Sequence, residues 1–226
     1  IPVICAPFIG RRLGVENVGI HSFLNSIVAF FTLFASLGTS SYGMREIART
    51  RDDKHKRSII FWEIEIVSVI TSLVTLSAWF VMLFFTDKYT ALFLVLSINI
   101  ISVAVDINWF FNGLEEFLNV TIINFIVRIF SVVSLYIFVR DKSDLFIYFI
   151  IMSLTELICN GMLFVSAYKF LEHVKISELS IKRHFKEMFI YFVPSIATSM
   201  YAVLDKTFLG LFNENKTENG YYEQAE

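Results

Sequence analysis

Arg128 stands near the middle of an apolar run, Val120–Val139, that is long enough to cross a bilayer as one helix. A cation at that depth costs about 2.5–3.5 kcal/mol on insertion scales, so it must face protein or a water-filled cavity rather than lipid. Its planar fork of donors suits a phosphate group. Thr121, Asn124, Arg128 and Ser131 follow at i, i+3, i+7 and i+10 and share one helix face. Amides and hydroxyls on that face can hydrogen-bond a hydroxylated ligand or hold water. A second reading makes Arg128 the buried partner of Glu156 or Asp106, holding two helices together. The two readings are compatible if the pair breaks when something binds.

Five further groups could do chemistry. Glu156 shares a face with Ser153 and Asn160 in the next apolar run, where a carboxylate can take up a proton or cation, or serve as counter-ion to Arg128. Asp106, beside Trp109, could serve a gate or pack near the interface. Asp205 and Lys206 adjoin, and adjacent helical residues diverge by about 100°, so only one can face a given point; Lys206 can snorkel outward. Arg11 and Arg12 read as a phosphate contact or as an outer-headgroup anchor. Glu63 and Glu65 lie near the start of one run, with Glu63 expected at the interface. No P-loop, zinc spacing or nucleophile–base arrangement is present: His21, His55, His173 and His184 are dispersed, and Cys5 and Cys159 both fall in apolar runs. No cofactor, metal or nucleic-acid partner is therefore expected, and the chain does not read as an enzyme.

The elements that position these residues are membrane spans. The chain is 56% hydrophobic with 25 Phe, and its mean hydropathy of +0.64 comes from repeated apolar runs of about 20 residues, which places it among polytopic helical membrane proteins. Ile1–Ile9 reads as the tail of a helix already under way, and the sequence has the look of part of a longer protein. Gly10–Gly19 reads as a connector, followed by helices over about Ile20–Tyr42, Ile59–Phe85, Ala91–Leu114, Val120–Val139, Leu145–Phe170 and Met188–Phe212, the last carrying Pro194 and Tyr201. Glu172–Glu187 reads as an amphipathic interfacial helix with Ile176, Leu179 and Phe185 toward lipid. Polar stripes recur: Glu65, Ser68, Ser72 and Thr75 in one run, Asn99, Ser102 and Asp106 in the next. Alternate connectors carry eleven and six Lys/Arg, which puts Arg45–Arg57 and Lys169–Lys186 in the cytoplasm. The Arg45–Arg57 cluster reads as a topology signal and anionic-lipid contact rather than a glycosyltransferase dock.

Four stretches in order carry a family resemblance: PFIGRRLGVENVG (Pro7–Gly19), LG…YGMREIAR (Leu37–Arg49), DINWFFNGLEEF (Asp106–Phe117), and PSIA…YAVLDKTFLG (Pro194–Gly210) followed by GYYEQA. Together they resemble bacterial polysaccharide (O-antigen or capsule) repeat-unit flippases, the Wzx-like branch of the multidrug/oligosaccharidyl-lipid/polysaccharide exporter superfamily. The resemblance implies two lobes of six or seven helices around a cavity that opens alternately to each side. It implies a cargo of undecaprenyl-pyrophosphate-linked oligosaccharide in the bacterial cytoplasmic (inner) membrane. Residues 1–187 would be the N-terminal lobe and 188–226 the first helix of the second. The resemblance also favours Asp205 over Lys206 for the cavity and draws Arg11 into a family-like spacing.

The expected function is therefore movement of lipid-linked repeat units from the inner to the outer leaflet by alternating access, coupled to a proton or sodium gradient. Arg128, Arg11, Asn124 and Asn160 are the expected substrate contacts, and Glu156, Asp106 and Asp205 the expected coupling or gating carboxylates. Membrane lipids, a polysaccharide polymerase and glycosyltransferases are the expected neighbours. The rivals are an exporter of small organic cations or drugs, which should prefer acidic cavity residues, and a non-transporting partner of a polysaccharide synthase.

Overall fold

The computed structural model describes the backbone of residues 2–213 and 216–225, and the side chains of 7–199, 203–213 and 216–223. Cys5 and Tyr201 lie outside the described side chains. The described residues form nine α-helices and no strand, in the order α1 (Pro2–Ser36), α2 (Thr39–Arg49), α3 (Lys54–Leu83), α4 (Thr90–Val103), α5 (Asn108–Leu114), α6 (Phe117–Phe138), α7 (Leu145–Ala167), α8 (Lys182–Phe212) and α9 (Thr217–Ala225). Five helical runs are long and apolar enough to cross a membrane: Pro7–Arg49, Lys54–Leu83, Thr90–Leu114, Phe117–Phe138 and Lys142–Phe170. A sixth is α8, whose arms Lys182–Ser199 and Val203–Phe212 are inclined by 54°. The all-α, polytopic bundle expected from the apolar runs is what the chain forms.

Three element boundaries differ from the sequence reading, each for a local reason. The expected Gly10–Gly19 connector is helical except at Gly14, whose φ of 80° and ψ of 160° break α1 in one residue. Glycine tolerates that conformation without a Cβ penalty. The expected Ala91–Leu114 helix is interrupted at 104–107. There the Asp106 carboxylate accepts the backbone N–H of Asn108 at 3.0 Å, an Asx-type turn that competes with the helix ladder and starts α5 afresh. The expected interfacial helix over Glu172–Glu187 does not form. Its first half is irregular apart from one 3-10 turn at Ile176–Glu178, and α8 begins at Lys182, six residues before the expected Met188. Side chains of α3 hold that connector: Ser58 Oγ accepts the Glu172 N–H at 2.8 Å, and Arg57 donates to Phe170 O at 2.6 Å. Ile176 and Phe185 are exposed as expected.

Two apolar cores stack along the bundle. The first gathers Leu24, Val28, Trp79, Leu96, Ile100 and Phe149 from α1, α3, α4 and α7. The second gathers Ile47, Phe61, Ile64, Trp109, Phe111 and Leu163 from α2, α3, α5 and α7, joined by Met188 of α8. Between helices in lipid the hydrophobic effect is weak, and close packing decides association. Gly43 of α2 supplies it: a Cβ there would stand 2.5 Å from the Trp109 ring. In contrast, α6 rests mainly on α7 and turns Phe125, Phe130 and Phe138 outward, each more than half exposed.

Candidate functional site

Residues of α6 and α7 that the sequence reading picked separately meet on one wall. The helices run antiparallel, registered by Thr155 donating to Ser131 Oγ at 2.9 Å and by the Cys159 thiol donating to Asn124 Oδ1 at 3.0 Å. Asn124 in turn donates to its own helix, to Val120 O at 2.9 Å. Arg128, Glu156 and Asp106 all lie within electrostatic reach of Cys159. Behind them Asn160, 8% exposed, donates to Ser102 Oγ at 2.9 Å and Ser102 O at 3.2 Å. Asn108 then links Asn160 Oδ1, at 3.5 Å, to Asp106 Oδ1, at 2.6 Å. Five of the seven expected site residues thus gather around one cysteine.

Arg128 and Glu156 are both exposed on this wall. Among the described residues neither makes a hydrogen bond or an ion pair, so the expected buried pair of Arg128 with Glu156 or Asp106 is not formed. The other two expected residues sit elsewhere. Arg11 is exposed at the Gly14 break, beside Arg12, which donates to Arg140 O at 3.2 Å. Arg140 follows the C-terminal end of α6, so Arg11 lies at a level about 15 Å along that helix from Arg128. Asp205 is exposed and accepts from the Tyr222 hydroxyl at 3.1 Å. Lys206, expected to snorkel outward, instead turns to α9, where it pairs with Glu223 at 2.8 Å. Burial acts to raise the Glu223 carboxyl, but Lys206 and the Ser22 hydroxyl at 2.7 Å outweigh it and hold that group below its ordinary range.

Beside the wall lies a buried polar column. Glu65, Ser68 and Ser72 face inward from α3, each 3% exposed or less. Among the described residues both Glu65 oxygens lack a hydrogen-bond partner, as do Ser72 Oγ, Asn99 Oδ1 of α4 and Ser153 Oγ of α7. A small cavity of about 40 Å³, lined by Ser36, Thr39, Ser40, Ser68, Asp106 and Asn108, adjoins it. A larger one, of about 400 Å³, lies apart between α3 and the α7–α8 connector, is lined by Trp62, Ile66 and Tyr168 and by connector residues between Leu171 and Leu179, and holds none of the expected site residues.

The sequence reading missed three participants. Cys159 precedes Asn160 in an apolar run whose sequence suggests neither a disulfide nor a metal ligand, and Asn108 lies inside the family-like DINWFF stretch. Glu63, expected at the interface, is 1% exposed. Among the described residues no three His, Cys, Asp or Glu side chains gather to hold a metal ion.

Over residues 1–226 the chain matches the family described as "Polysaccharide biosynthesis protein". It belongs to that family. It is 24% identical, over all of its length and 55% of the relative's, to a protein of Escherichia coli (strain K12) named "Putative O-antigen transporter". It is 24% identical, over 93% of the chain and 54% of the relative, to a protein of that name from Shigella dysenteriae. The chain spans about half the length of the curated relatives it matches. No solved structure matches it. The resemblance to Wzx-like polysaccharide flippases, read from four short motifs, agrees with these matches, and this member of the family is a multi-pass membrane protein.

Proposed function

We propose that the chain is the N-terminal part of a carrier that moves undecaprenyl-pyrophosphate-linked repeat units from the inner to the outer leaflet of the bacterial cytoplasmic membrane. In this reading α1–α7 form one lobe and α8 opens the second, with alternating access between them. One observation carries it. Arg128 and Glu156 stand exposed and without an ion-pair partner on a hydroxyl- and amide-bearing wall of the α6–α7 pair, in a chain about half as long as its relatives. A charged face at membrane depth needs water or protein opposite it. The second lobe and the cavity between the lobes supply both.

On this wall Arg128 is the pyrophosphate contact, because a guanidinium presents paired donors and stays charged. Asn124 lines the same side and suits a sugar hydroxyl, while Asn160 stands behind it, bonded to Ser102 and Asn108. Glu156 shares the wall with the cargo. For coupling to a proton or sodium gradient, Glu65 fits the physics better than Glu156. Its oxygens are buried and have no donor, and an isolated carboxylate there requires a compensating proton or cation.

The test uses the full-length protein with Arg128→Ala and Arg128→Lys at matched membrane abundance. The carrier reading expects Arg128→Ala to lose surface polymer while lipid-linked precursor accumulates on the inner leaflet, with Arg128→Lys intermediate. Normal polymer from Arg128→Ala would end the reading.

A further inference from the structure

The strongest buried polar cluster outside the wall ties three elements together at the cytoplasmic end. Glu63 of α3 and His184 of α8 are each 1% exposed, and Tyr42 of α2 is 4% exposed. The Tyr42 hydroxyl is 2.7 Å from His184 Nδ1, and His184 Nε2 is 2.6 Å from Glu63 Oε2. Arg183 donates to the same oxygen at 3.2 Å, and the Ser180 backbone N–H donates to Glu63 Oε1. Both ring nitrogens are bonded when the phenol donates to Nδ1 and Nε2–H donates to the carboxylate; Arg183 Nε, 3.1 Å from the same Nε2, then makes contact without a hydrogen bond. Every oxygen of Glu63 is then satisfied.

The position of the cluster is the informative part. The residue before α8, Ile181, offers no side-chain cap, so the first turn of this helix has no cap of its own. Glu63 supplies one from another helix: its charge lies at the positive end of α8 and takes the N–H of Ser180 just ahead of it. A second seam runs one to three turns further on. There Gly38 lets α8 approach so closely that a Cβ would stand 2.7 Å from Met188 O, and Arg45 donates to the Tyr191 hydroxyl. The other charges facing the cluster are Arg45 and Glu46 of α2 and Glu187 of α8. A buried polar network contributes little net stability over apolar packing, but it enforces one arrangement and fails sharply when one member leaves.

We propose that Tyr42, His184 and Glu63 form a cytoplasmic lock that clamps the start of α8 onto α2 and α3 and must open for α8 to move. The proposal rests on reading α8 as the first helix of the second lobe. In that setting the cluster lies across the seam between lobes, and closing it fixes one of the two access states. Four hydrogen bonds converge on a single carboxylate and ring, so the seam opens as a unit.

Two measurements on the full-length protein test it. Hydrogen exchange of the 178–192 segment should rise about tenfold or more in Tyr42→Phe and in Glu63→Gln, while α4 and the rest of α3 stay protected. No change there, or an equal rise throughout the bundle, would overturn the lock. Cysteines placed beside the lock, at the exposed positions Arg45 of α2 and Glu187 of α8, and bridged by a short bifunctional maleimide should then stop polymer export. The unbridged double variant, and each single variant treated alike, should still export. Export that continues through the bridge would reduce the cluster to a structural tie. Exchange needs no transport, so its outcome stands apart from any failure of the carrier reading, which would show as no export dependence on Arg128.

Discussion

The thiol of Cys159 on α7 donates to the side-chain oxygen of Asn124 on α6 at 3.0 Å, and this one bond fixes which faces of the two helices look the same way. It brings Glu156, three residues earlier on α7, to the level of Arg128, four residues later on α6. Yet the two charges remain unpaired, which separates a binding wall from a structural clamp. Replacing Glu156 by Gln should therefore change the unfolding temperature in detergent by no more than an exposed substitution does, within about ±0.5 kcal/mol. A buried pair would instead lose about 3–5 kcal/mol when one partner is removed.

Asn160 is the contrasting case. Its amide is buried and bonded twice to Ser102, on a different helix. Asn160→Ala leaves Ser102 and Asn108 short of a partner and should destabilise the protein by about 1–3 kcal/mol, measured by thermal unfolding in detergent. Asn160→Asp keeps the shape but turns the donor into an acceptor facing Ser102 O, and should lose at least as much.

Glu65 should show the opposite trade. Exchanging it for Met removes a buried carboxylate that has no donor, and the unfolding temperature should rise, by the equivalent of about 1–3 kcal/mol. The same variant should export polymer without dependence on the ion gradient, or not export at all. A Met variant that is less stable and fully gradient-driven would remove Glu65 from the coupling role.

Gly43 should tolerate no side chain. Its missing Cβ leaves room for the Trp109 ring, which a methyl would meet at 2.5 Å. Gly43→Ala should cost about 1–3 kcal/mol through overpacking, read as a lower unfolding temperature, and Trp109→Leu in the same chain should recover part of it.

Acid should loosen the start of α3 first. The Asp53 carboxyl accepts the Lys56 N–H at 3.0 Å and is held below its ordinary range by that bond, then by the Lys56 ammonium at 3.0 Å. A carboxyl depressed in the folded state lends its support above the unfolded value, about 3.9, and loses it as pH falls below that through the folded value. Amides of residues 54–58 should lose exchange protection in that window, and Asp53→Asn should flatten the response.

How much was legible in the sequence depends on whether the signal was periodic. The polar stripe of Glu65, Ser68 and Ser72 follows helical spacing, and all three do turn inward. The Arg128 face and the Glu156 face were readable in the same way, although their meeting at Cys159 was not, because register between helices is set by tertiary contacts. Single-residue events were less visible. Gly14 looked like one glycine among several in a loop, and its break follows from where the chain must turn rather than from composition. Asp106 ends α4 by capturing an N–H two residues on, a bond that competes with a helix pattern that would otherwise run through. Glu63 and Glu65 differ by two positions and so point to opposite flanks. Interface charge and buried charge looked alike until His184, 121 residues away, came to meet one of them.

The break at Gly14 has a mechanical consequence. Arg12 and Asn17, one on each side of it, grip the carbonyls of Arg140 and Lys142 at 3.2 and 2.8 Å, so the broken turn of α1 is riveted to the hairpin between α6 and α7. Such a rivet acts as a fulcrum: tilting of these helices is small near it and grows with distance toward the opposite end. The largest sweep then falls at the far ends of α6 and α7, near Phe117 and Ala167, where a few degrees of rotation give the greatest displacement.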